Sequence, residues 1–299
     1  MSLHRLTDIT MGVPNIAETV EFYTQFGLLP QPSNDPNEHW FGTVDGGPRQ
    51  LKIVHAPVRR LLSLGIGAED PDDLGRIGAS LQRLGVESRI DGEQLTTNEP
   101  ITGVKVTVSV APQVPAKPVA ERHLPNFRAP ALLRTDPARP RKLGHIMIAS
   151  VESATTQKFF TEGLGFKLSD EIKDAATFMR CSTDHHNIVV GHGPVNYMHH
   201  TSWELSDVDE IGRGVKAALE GHPERHTWGM GRFWVGANYF YYLRDPAGNM
   251  TEYYSDMDEI TDDQVWKPGV FEPGSLWSPA MPPSLIRPDD LAELMADSH

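Results

Sequence analysis

The chain has 299 residues, 39% of them hydrophobic and 22% charged, which is typical of a folded water-soluble protein long enough for two domains. A formal net charge of −13 leaves no basic surplus to neutralise phosphates and argues against a nucleic-acid partner. No stretch approaches the about 18 apolar residues of a membrane helix, and the N-terminus lacks a signal-peptide pattern, so we expect a cytoplasmic protein without membrane contact. The single cysteine, Cys181, excludes an internal disulfide, so any metal must be held by His, Asp or Glu.

An internal repeat organises the chain. The stretch 5–31, "RLTDITMGVPNIAETVEFYTQFGLLPQ", matches 142–168, "KLGHIMIASVESATTQKFFTEGLGFKL", as an alternating strand followed by an amphipathic helix. Farther along, 61–85 matches 198–221 as a second strand and a helix with an acidic start. Each half therefore predicts an α+β domain built from two β-α-β-β-β modules.

Composition sets the expected domain limits. We predict an N-terminal non-catalytic domain over 1–115, a Pro-rich linker over 116–141, a C-terminal catalytic domain over 142–255 and a tail over 256–299 that packs on the catalytic domain. Seven prolines between positions 112 and 140 block helix continuation and central-strand pairing, which is why this stretch is interpreted as a linker.

The two halves differ in chemistry. Asp8 aligns with His145 and Ser63 with His200, and the members of each half are 55 residues apart. The last strand of the first half contains no acid, whereas the equivalent region of the second half contains Glu252. Two imidazoles and one carboxylate with open coordination positions suit Fe(II) that must bind a substrate and oxygen together.

Side-chain alternation allows these groups to converge. In "LGHIMIAS", His145, Met147 and Ala149 share one strand face, while Ile146 and Ile148 share the face that would pack on the helix. Taken singly, each of the 13 histidines is more often a packed or surface residue than a ligand. The coincidence of the candidate ligands in one repeat and their absence from the other favours a metal site.

Three motifs resemble those of the type I extradiol (catechol meta-cleaving) dioxygenases of the vicinal oxygen chelate superfamily, along nearly the whole chain. They are "LGHIMI" with His145, "MHHTSWEL" with His200, and "YYLRDPAGNMTEYY" with Glu252. The resemblance implies two tandem vicinal-oxygen-chelate domains, each with a curved sheet around a funnel. It also implies that these three residues bind Fe(II), with Mn(II) as the alternative ion.

Further roles follow from the same resemblance. His186, fourteen residues before His200, matches a second-sphere histidine that acts as acid and base. Tyr242, ten residues before Glu252, matches a tyrosine that hydrogen-bonds the substrate oxygen. The neighbouring His185 would face the other side of its strand, and we expect it to be a surface histidine.

The sequence departs from the family pattern in the substrate pocket. Phe233 and Met147 occupy positions where many relatives have polar residues, and a less polar pocket favours an alkyl- or aryl-substituted ring over a carboxylated one. His226 or Arg232 could supply a replacement donor. The residues expected to line the pocket are Met147, Trp228, Phe233 and Trp234.

The implied activity is oxidative opening of a catechol ring with O2 to a muconic-semialdehyde-type product, by a protein that we expect to be a homo-oligomer. Two alternatives stay open. One is a non-oxidative, metal-dependent isomerase on the same scaffold, although such enzymes usually place a second carboxylate where a histidine stands here. The other is a protein that binds an aromatic ligand without chemistry, whose relatives typically lack the three ligands.

Overall fold

The computed structural model describes residues 3–115, 117 and 124–297. Two large curved β-sheets, of eight and ten strands, form its framework. The helices of both halves pack on these sheets, and one continuous hydrophobic core joins the halves. No helix of the described residues is long and apolar enough to cross a membrane.

The first sheet is formed by the N-terminal half. Its strands in chain order are β1 (Leu3–Val13), β2 (Leu29–Gln31), β3 (His39–Thr43), β4 (Gly47–His55), β5 (Arg60–Ala68), β6 (Ser88–Asp91), β7 (Gln94–Asn98) and β8 (Lys105–Val110). Helices α1 (Ile16–Gln25) and α2 (Pro71–Arg83) follow β1 and β5. The strand order β2-β3-β4-β1-β5-β8-β7-β6 joins two four-stranded modules side by side.

The second sheet repeats this plan in the C-terminal half. Its strands are β9 (Lys142–Ser150), β10 (Lys167–Ile172), β11 (Ala176–Arg180), β12 (Ile188–His192), β13 (Tyr197–Glu204), β14 (His226–Phe233), β15 (Tyr239–Arg244), β16 (Met250–Ser255), β17 (Val270–Phe271) and β18 (Ser275–Trp277). The helices are α3 (Ser153–Lys158), extended by a π-helical segment (Phe159–Leu164), α4 (Val208–Leu219), α5 (Pro283–Ile286) and α6 (Leu291–Asp297). Short 3₁₀ turns cover Pro130–Leu133 and Pro223–Arg225. The order β17-β10-β11-β12-β9-β13-β16-β15-β14-β18 confirms the predicted α+β class and its β-α-β-β-β modules.

Strand register matches between the halves. Asp8 of β1 pairs with Gly65 of β5, and His145 of β9 pairs with Ser202 of β13. The next equivalent pairs are Thr10–Ser63 and Met147–His200. The alignment of Asp8 with His145 and of Ser63 with His200 is therefore a structural equivalence.

Tail strands close the second sheet. β17 pairs with the edge strand β10, and β18 pairs with the opposite edge strand β14. Because only residues 272–274 separate β17 from β18, the tail bridges the two edges and the sheet curls into a funnel. The tail thus covers strand edges that would otherwise expose unpaired backbone groups.

Equivalent helices begin in the same way in both halves. The Asp70 carboxylate caps α2 by accepting the backbone N–H of Asp73, and the Asp207 carboxylate caps α4 by accepting that of Glu210. An aspartate at the N-cap satisfies an otherwise unpaired backbone donor and stabilises the helix start. The acidic helix starts seen in the sequence are these caps.

Aromatic and polar contacts join the two halves. Phe26, after α1, stacks on Tyr253 of β16 with ring centroids 4.0 Å apart. The Gln50 side chain accepts the backbone N–H of Leu143 at 2.7 Å. Arg141, at the start of the second half, forms ion pairs with Asp45 of the first half and with Glu204. Each half is therefore packed against the other rather than tethered to it.

The predicted domain limits stay a prediction. Residues 116 and 118–123 of the predicted linker lie outside the described residues. Between the described strands, β8 ends at Val110 and β9 begins at Lys142, which brackets the linker that we infer from composition.

Candidate metal centre and substrate cavity

Three neighbouring strands bring one ligand each to the middle of the second sheet. His145 lies on β9, His200 on β13 and Glu252 on β16, and all three side chains are buried. The Nε2 atoms of His145 and His200 are 3.3 Å apart. The Glu252 Oε2 atom lies 3.1 Å from His145 Nε2 and 3.5 Å from His200 Nε2. The structure thus brings together the three residues predicted as metal ligands.

This arrangement fits a metal ion. Two ligand atoms at about 2.1 Å from a metal and at right angles are about 3 Å apart, which is close to the separations found here. Within the described chain, Glu252 Oε2 is buried with no hydrogen-bond partner. A buried carboxylate oxygen without a donor is costly, and a cation between the three groups would remove that cost. One face of such an ion would be bound by protein and the other would be open to the cavity.

A β-bulge sets the direction of His200. Between the pairs Met198–Ile148 and His200–Met147, His199 is an extra residue on β13, so His199 and His200 both line the cavity. His199 Nδ1 lies 2.7 Å from His200 Nδ1, and His199 Nε2 lies 2.6 Å from the backbone oxygen of Leu285. Because the Leu285 oxygen only accepts, His199 donates through Nε2 and accepts the Nδ1–H of His200. The Nε2 atom of His200 is then left with a lone pair for a metal.

Burial keeps His200 and His186 neutral. It lowers the pKa of His200 well below the usual value, and the neighbouring His199 and His145 lower it further. The pKa of His186 is also well below its ordinary value, first because the ring is buried and then because three other histidines surround it. Neutral imidazole is the form that binds a metal, so the environment favours metal binding near neutral pH.

Two residues of the last hairpin contact the Glu252 side of the site. Asn238 donates its amide Nδ2–H to Glu252 Oε1 at 3.3 Å. Asn238 Oδ1 is buried and has no partner among the described residues. Tyr242 pairs with Glu252 across β15 and β16, and burial followed by the Glu252 carboxylate raises the pKa of its phenol well above the usual value. Tyr242 is therefore a protonated phenol that can donate a hydrogen bond.

His186 and His185 lie in the bend before β12. His186 lines the cavity, and its ring centroid is 4.3 Å from that of His145. The prediction that His185 is a surface residue is wrong, because its side chain is fully buried and hydrogen-bonded to Asp170 and His186. Strand alternation does not apply in a bend, so two consecutive side chains can both point inward.

A cavity of about 490 Å³ opens over the three candidate ligands. That volume lies in the range of small-molecule sites. No lysine or arginine of the described residues lines it. Its apolar lining includes residues of the tail as well as of the sheet, among them Met147, Phe178, Trp228, Phe233, Met281 and Leu285.

Comparisons with known proteins agree with this site. A model for the Glyoxalase/Bleomycin resistance protein/Dioxygenase superfamily matches residues 142–253, which contain His145, His200 and Glu252. The chain is 27% identical to metapyrocatechase 2 of Cupriavidus necator, with 96% of this chain and 92% of the relative covered.

The match to this superfamily covers the second half of the chain, residues 142–253.

Two solved structures share the fold of this chain. The Mn(II)-bound glyoxalase from Novosphingobium aromaticivorans is 25% identical, with a TM-score of 0.78 over 95% of this chain and 94% of that one. The 2,2',3-trihydroxybiphenyl 1,2-dioxygenase from Sphingomonas wittichii strain RW1 is 20% identical, with a TM-score of 0.75 over 94% of this chain and all (100%) of that one. The resemblance to extradiol dioxygenases inferred from the three motifs is confirmed by the similarity to metapyrocatechase 2.

The structure divides the predicted pocket residues. Met147, Trp228 and Phe233 line the cavity, and the Phe233 ring stacks on Phe240 with centroids 4.0 Å apart. Trp234, also predicted to line the pocket, is 48% exposed and is absent from the lining, because it lies in the connection after β14 where alternation ends.

Neither suggested replacement donor reaches the cavity. The His226 ring is bound to the Tyr241 hydroxyl at 2.8 Å near the surface. Arg232 donates to the Ala237 backbone oxygen at 2.8 Å and lies over the Tyr239 ring. The cavity near Phe233 therefore receives no charged donor from these two residues, and its polar lining there is the side chain of Ser275, the strand partner of Phe233.

Sequence reasoning missed several residues of this site. The doubled histidine of "MHHTSWEL" was a usable signal for His199, since a second histidine beside a ligand can support it. A weaker signal for a residue that supports the site was an acidic residue inside a strand, Asp170 in "KLSDEI". No sequence signal marked Asn238 or Leu285, because their positions depend on the conformations of a loop and of the tail.

Proposed function

We propose that this protein is a non-haem Fe(II)-dependent extradiol dioxygenase that opens the ring of an alkyl- or aryl-substituted catechol with O2. The observation that carries the proposal is a buried two-histidine, one-carboxylate site under an apolar cavity of about 490 Å³. This ligand set with open positions is typical of non-haem Fe(II) oxygenases. In the reaction both atoms of one O2 enter the product, a muconic-semialdehyde-type acid.

His145, His200 and Glu252 would hold the ion, with Mn(II) as the alternative to Fe(II). When bound, the ion supplies a centre at which both catechol oxygens and O2 can be brought together and exchange electrons. The relay from His200 through His199 to Leu285 fixes the ligand ring before substrate arrives. Asn238 fixes the carboxylate by binding its second oxygen.

Tyr242 and His186 face the cavity as partners for the substrate oxygens. The protonated phenol of Tyr242 would donate a hydrogen bond to a catechol oxygen that has lost its proton. Neutral His186 would accept a proton during the reaction and return it to the product oxygen. Both groups are held by surrounding aromatic rings, including those of Phe178 and Trp228.

The cavity lining supports the substrate class. Apolar side chains from the sheet and tail would surround a ring substituent, and burial of such a group drives binding. A carboxylated catechol would place its charge where no lysine or arginine of the described chain is available. Burying an unpaired carboxylate is unfavourable, so we expect discrimination against such substrates.

A non-oxidative isomerase is the second candidate, and the 25% identity to an Mn(II)-bound glyoxalase favours keeping it. Against it, Glu252 is the single carboxylate in the cluster of possible ligands among the described residues. A homo-oligomer stays a prediction.

Anaerobic purification with Fe(II) or Mn(II), followed by oxygen and a catechol panel, tests the proposal. We expect one O2 consumed per catechol and a yellow product, fastest with 3-alkylcatechols or 2,3-dihydroxybiphenyl and slow with 2,3-dihydroxybenzoate. The comparison of the two ions identifies the active metal. Metal-loaded protein that consumes no O2 with any member of the panel would contradict the proposal.

A further inference from the structure

Three buried side chains, those of Asp170, His185 and His186, form a hydrogen-bonded array that runs from the protein interior to the cavity. Asp170 Oδ2 lies 2.8 Å from His185 Nε2, and His185 Nδ1 lies 3.0 Å from His186 Nδ1. All three residues are less than 5% exposed: 4% for Asp170, 0% for His185 and 3% for His186. Of the three, His186 alone lines the cavity.

The direction of each hydrogen bond follows from the chemistry of Asp170. Its other oxygen, Oδ1, accepts the backbone N–H of Gly269 at 2.7 Å. An ionised carboxylate only accepts, so His185 must carry its hydrogen on Nε2. A neutral His185 then has a lone pair on Nδ1, and the 3.0 Å contact requires that His186 donate through its own Nδ1. The Nε2 atom of His186 is left as a hydrogen-bond acceptor.

Packing holds the histidine pair in this arrangement. The His185 ring contacts Trp266 edge to face with centroids 5.4 Å apart, and Phe178 contacts the His186 ring at 5.0 Å. Gly236 lies over the pair, and a Cβ at that position would come within 3.2 Å of His185 Nδ1. A positive φ of 75° makes glycine the fitting residue there. The loop can therefore approach the imidazoles closely and hold them together.

We propose that Asp170 and His185 are positioning residues that hold His186 as the Nδ1–H tautomer, with the Nε2 lone pair directed to the substrate cavity. The inference rests on the proposed function for its role in catalysis, but the tautomer itself is a property of the folded protein.

The proposed consequence is a proton transfer of defined direction. The O–H bond of a substrate hydroxyl breaks, the oxygen keeps the electron pair, and the proton forms a new bond to His186 Nε2. The resulting imidazolium donates from Nδ1 to His185, whose Nε2–H is in turn bound to the Asp170 carboxylate. Returning the proton from Nε2 to a product oxygen restores the array, and no other reactant is needed.

Asp170→Asn is expected to reverse the direction of both hydrogen bonds in the array. The amide oxygen must face the Gly269 N–H, because an NH2 group there would oppose another donor. The amide NH2 then faces His185 Nε2, which becomes an acceptor, so His185 donates from Nδ1. His186 must then accept at Nδ1 and carry its hydrogen on Nε2. The Nε2 lone pair that could accept a substrate proton is therefore lost.

Two substitutions at His185 separate tautomer control from packing. In His185→Gln the amide NH2 can donate to Asp170 and the amide oxygen can accept from His186 Nδ1, which preserves the direction of the array. In His185→Phe both hydrogen bonds are lost while the ring volume is nearly kept. Glu171→Gln is the matched control, since Glu171 is the next residue on β10 and its side chain belongs to no part of the array.

The first readout is the ¹⁵N spectrum of histidine-labelled protein loaded with Zn(II), a diamagnetic probe ion, with the His186 signal assigned by its loss in His186→Gln. We expect an Nδ1–H pattern in the wild type, in Glu171→Gln and in His185→Gln, and an Nε2–H pattern in Asp170→Asn. An Nε2–H pattern in the wild type, or no change of tautomer in Asp170→Asn, would overturn the proposal.

The second readout is the kinetics of the iron-loaded enzyme. We expect kcat to fall on the order of 100-fold in Asp170→Asn and His185→Phe, with KM and iron content nearly unchanged, and to recover largely in His185→Gln. An equal loss of kcat in His185→Gln and His185→Phe would contradict the proposal that His185 acts by setting the tautomer of His186. If Asp170→Asn switches the tautomer of His186 but the wild type has no dioxygenase activity, the proposed function fails and the tautomer control by Asp170 and His185 stands.

Discussion

The two halves of this chain have the same strand register and different side chains at equivalent positions. Where the second half has His145, His200 and Glu252, the first has Asp8, Ser63 and, by its pairing with Gly65, Thr107. These residues lie on the equivalent strands β1, β5 and β8. The fold alone therefore does not make the candidate metal centre, because the same backbone in the first half has only one possible ligand of the three.

The halves also differ at the bulge that supports the site. Both have an extra residue at the same place, Leu62 on β5 and His199 on β13. In the first half Ser63 donates to the Thr10 hydroxyl at 2.8 Å, a local contact. In the second half His199 connects the adjacent ligand to the tail. The bulge is therefore part of the shared fold, and its chemical use is specific to the second half.

Removal of a metal ligand is expected to have the largest effect. Glu252→Ala should lower metal affinity by more than about 100-fold, since even partners of metal ligands typically contribute about 10- to 100-fold. Thr107→Ala, the equivalent change in the first half, should leave metal affinity unchanged. The metal affinity of both variants is measured by metal content after dialysis and by titration calorimetry. Equal metal affinity in Glu252→Ala and the wild type would contradict the assignment of the site.

Loss of the Tyr242 hydroxyl should have the next largest effect. Tyr242→Phe is expected to lower kcat by about 100-fold while metal content stays normal, because the proposed role of the phenol is to contact substrate and not the ion. Thr96 is opposite Thr107 on β7, as Tyr242 is opposite Glu252. Thr96→Val is therefore the matched control and should keep the wild-type kcat. A loss of metal in Tyr242→Phe would mean that the tyrosine supports the ligands instead.

Breaking the contact between the halves should reduce stability. Phe26 is 1% exposed and stacks on Tyr253, so Phe26→Ala should lower the free energy of unfolding by about 3–5 kcal/mol. Leu133 is 82% exposed, and Leu133→Ala should change the free energy of unfolding by less than about 0.5 kcal/mol. Urea denaturation with two spectroscopic probes measures both variants. Separate transitions for the two halves in the wild type would show that they are not one cooperative unit.

A polar group in the cavity should have the smallest of these effects. Phe233→His is expected to lower kcat/KM for 2,3-dihydroxybiphenyl relative to 2,3-dihydroxybenzoate by about 10-fold, a size typical of single pocket contacts. The same replacement at the exposed Trp234 should leave the ratio unchanged. A ratio that responds equally at both positions would exclude Phe233 as a specificity residue.

Local patterns account for the parts of the fold that were predictable. The modules follow from strand alternation, and two of the three candidate ligands, His145 and His200, follow from one constant offset between the repeats. Both signals depend only on neighbouring residues and on a shared backbone. The tail strands are too short for a pattern, at two and three residues. Their pairing depends on how far the sheet curls, which is a property of the whole sheet.

The environment of the site was less predictable for a related reason. His185 and Trp234 were misplaced because each lies beside a strand rather than within one, where alternation no longer sets direction. The roles of Asp170 and Leu285 depend on contacts across 15 and 86 residues of chain, respectively. Such contacts exist only after the sheet and the tail have folded together.

Mass spectrometry of the product formed from an alkyl- or aryl-substituted catechol under ¹⁸O2 tests most directly whether this protein cleaves the catechol ring with O2. Extradiol cleavage predicts that both oxygen atoms of one O2 appear in a ring-opened semialdehyde product. Recovery of a rearranged product with no ¹⁸O, from metal-loaded protein, would contradict it and favour a non-oxidative isomerase.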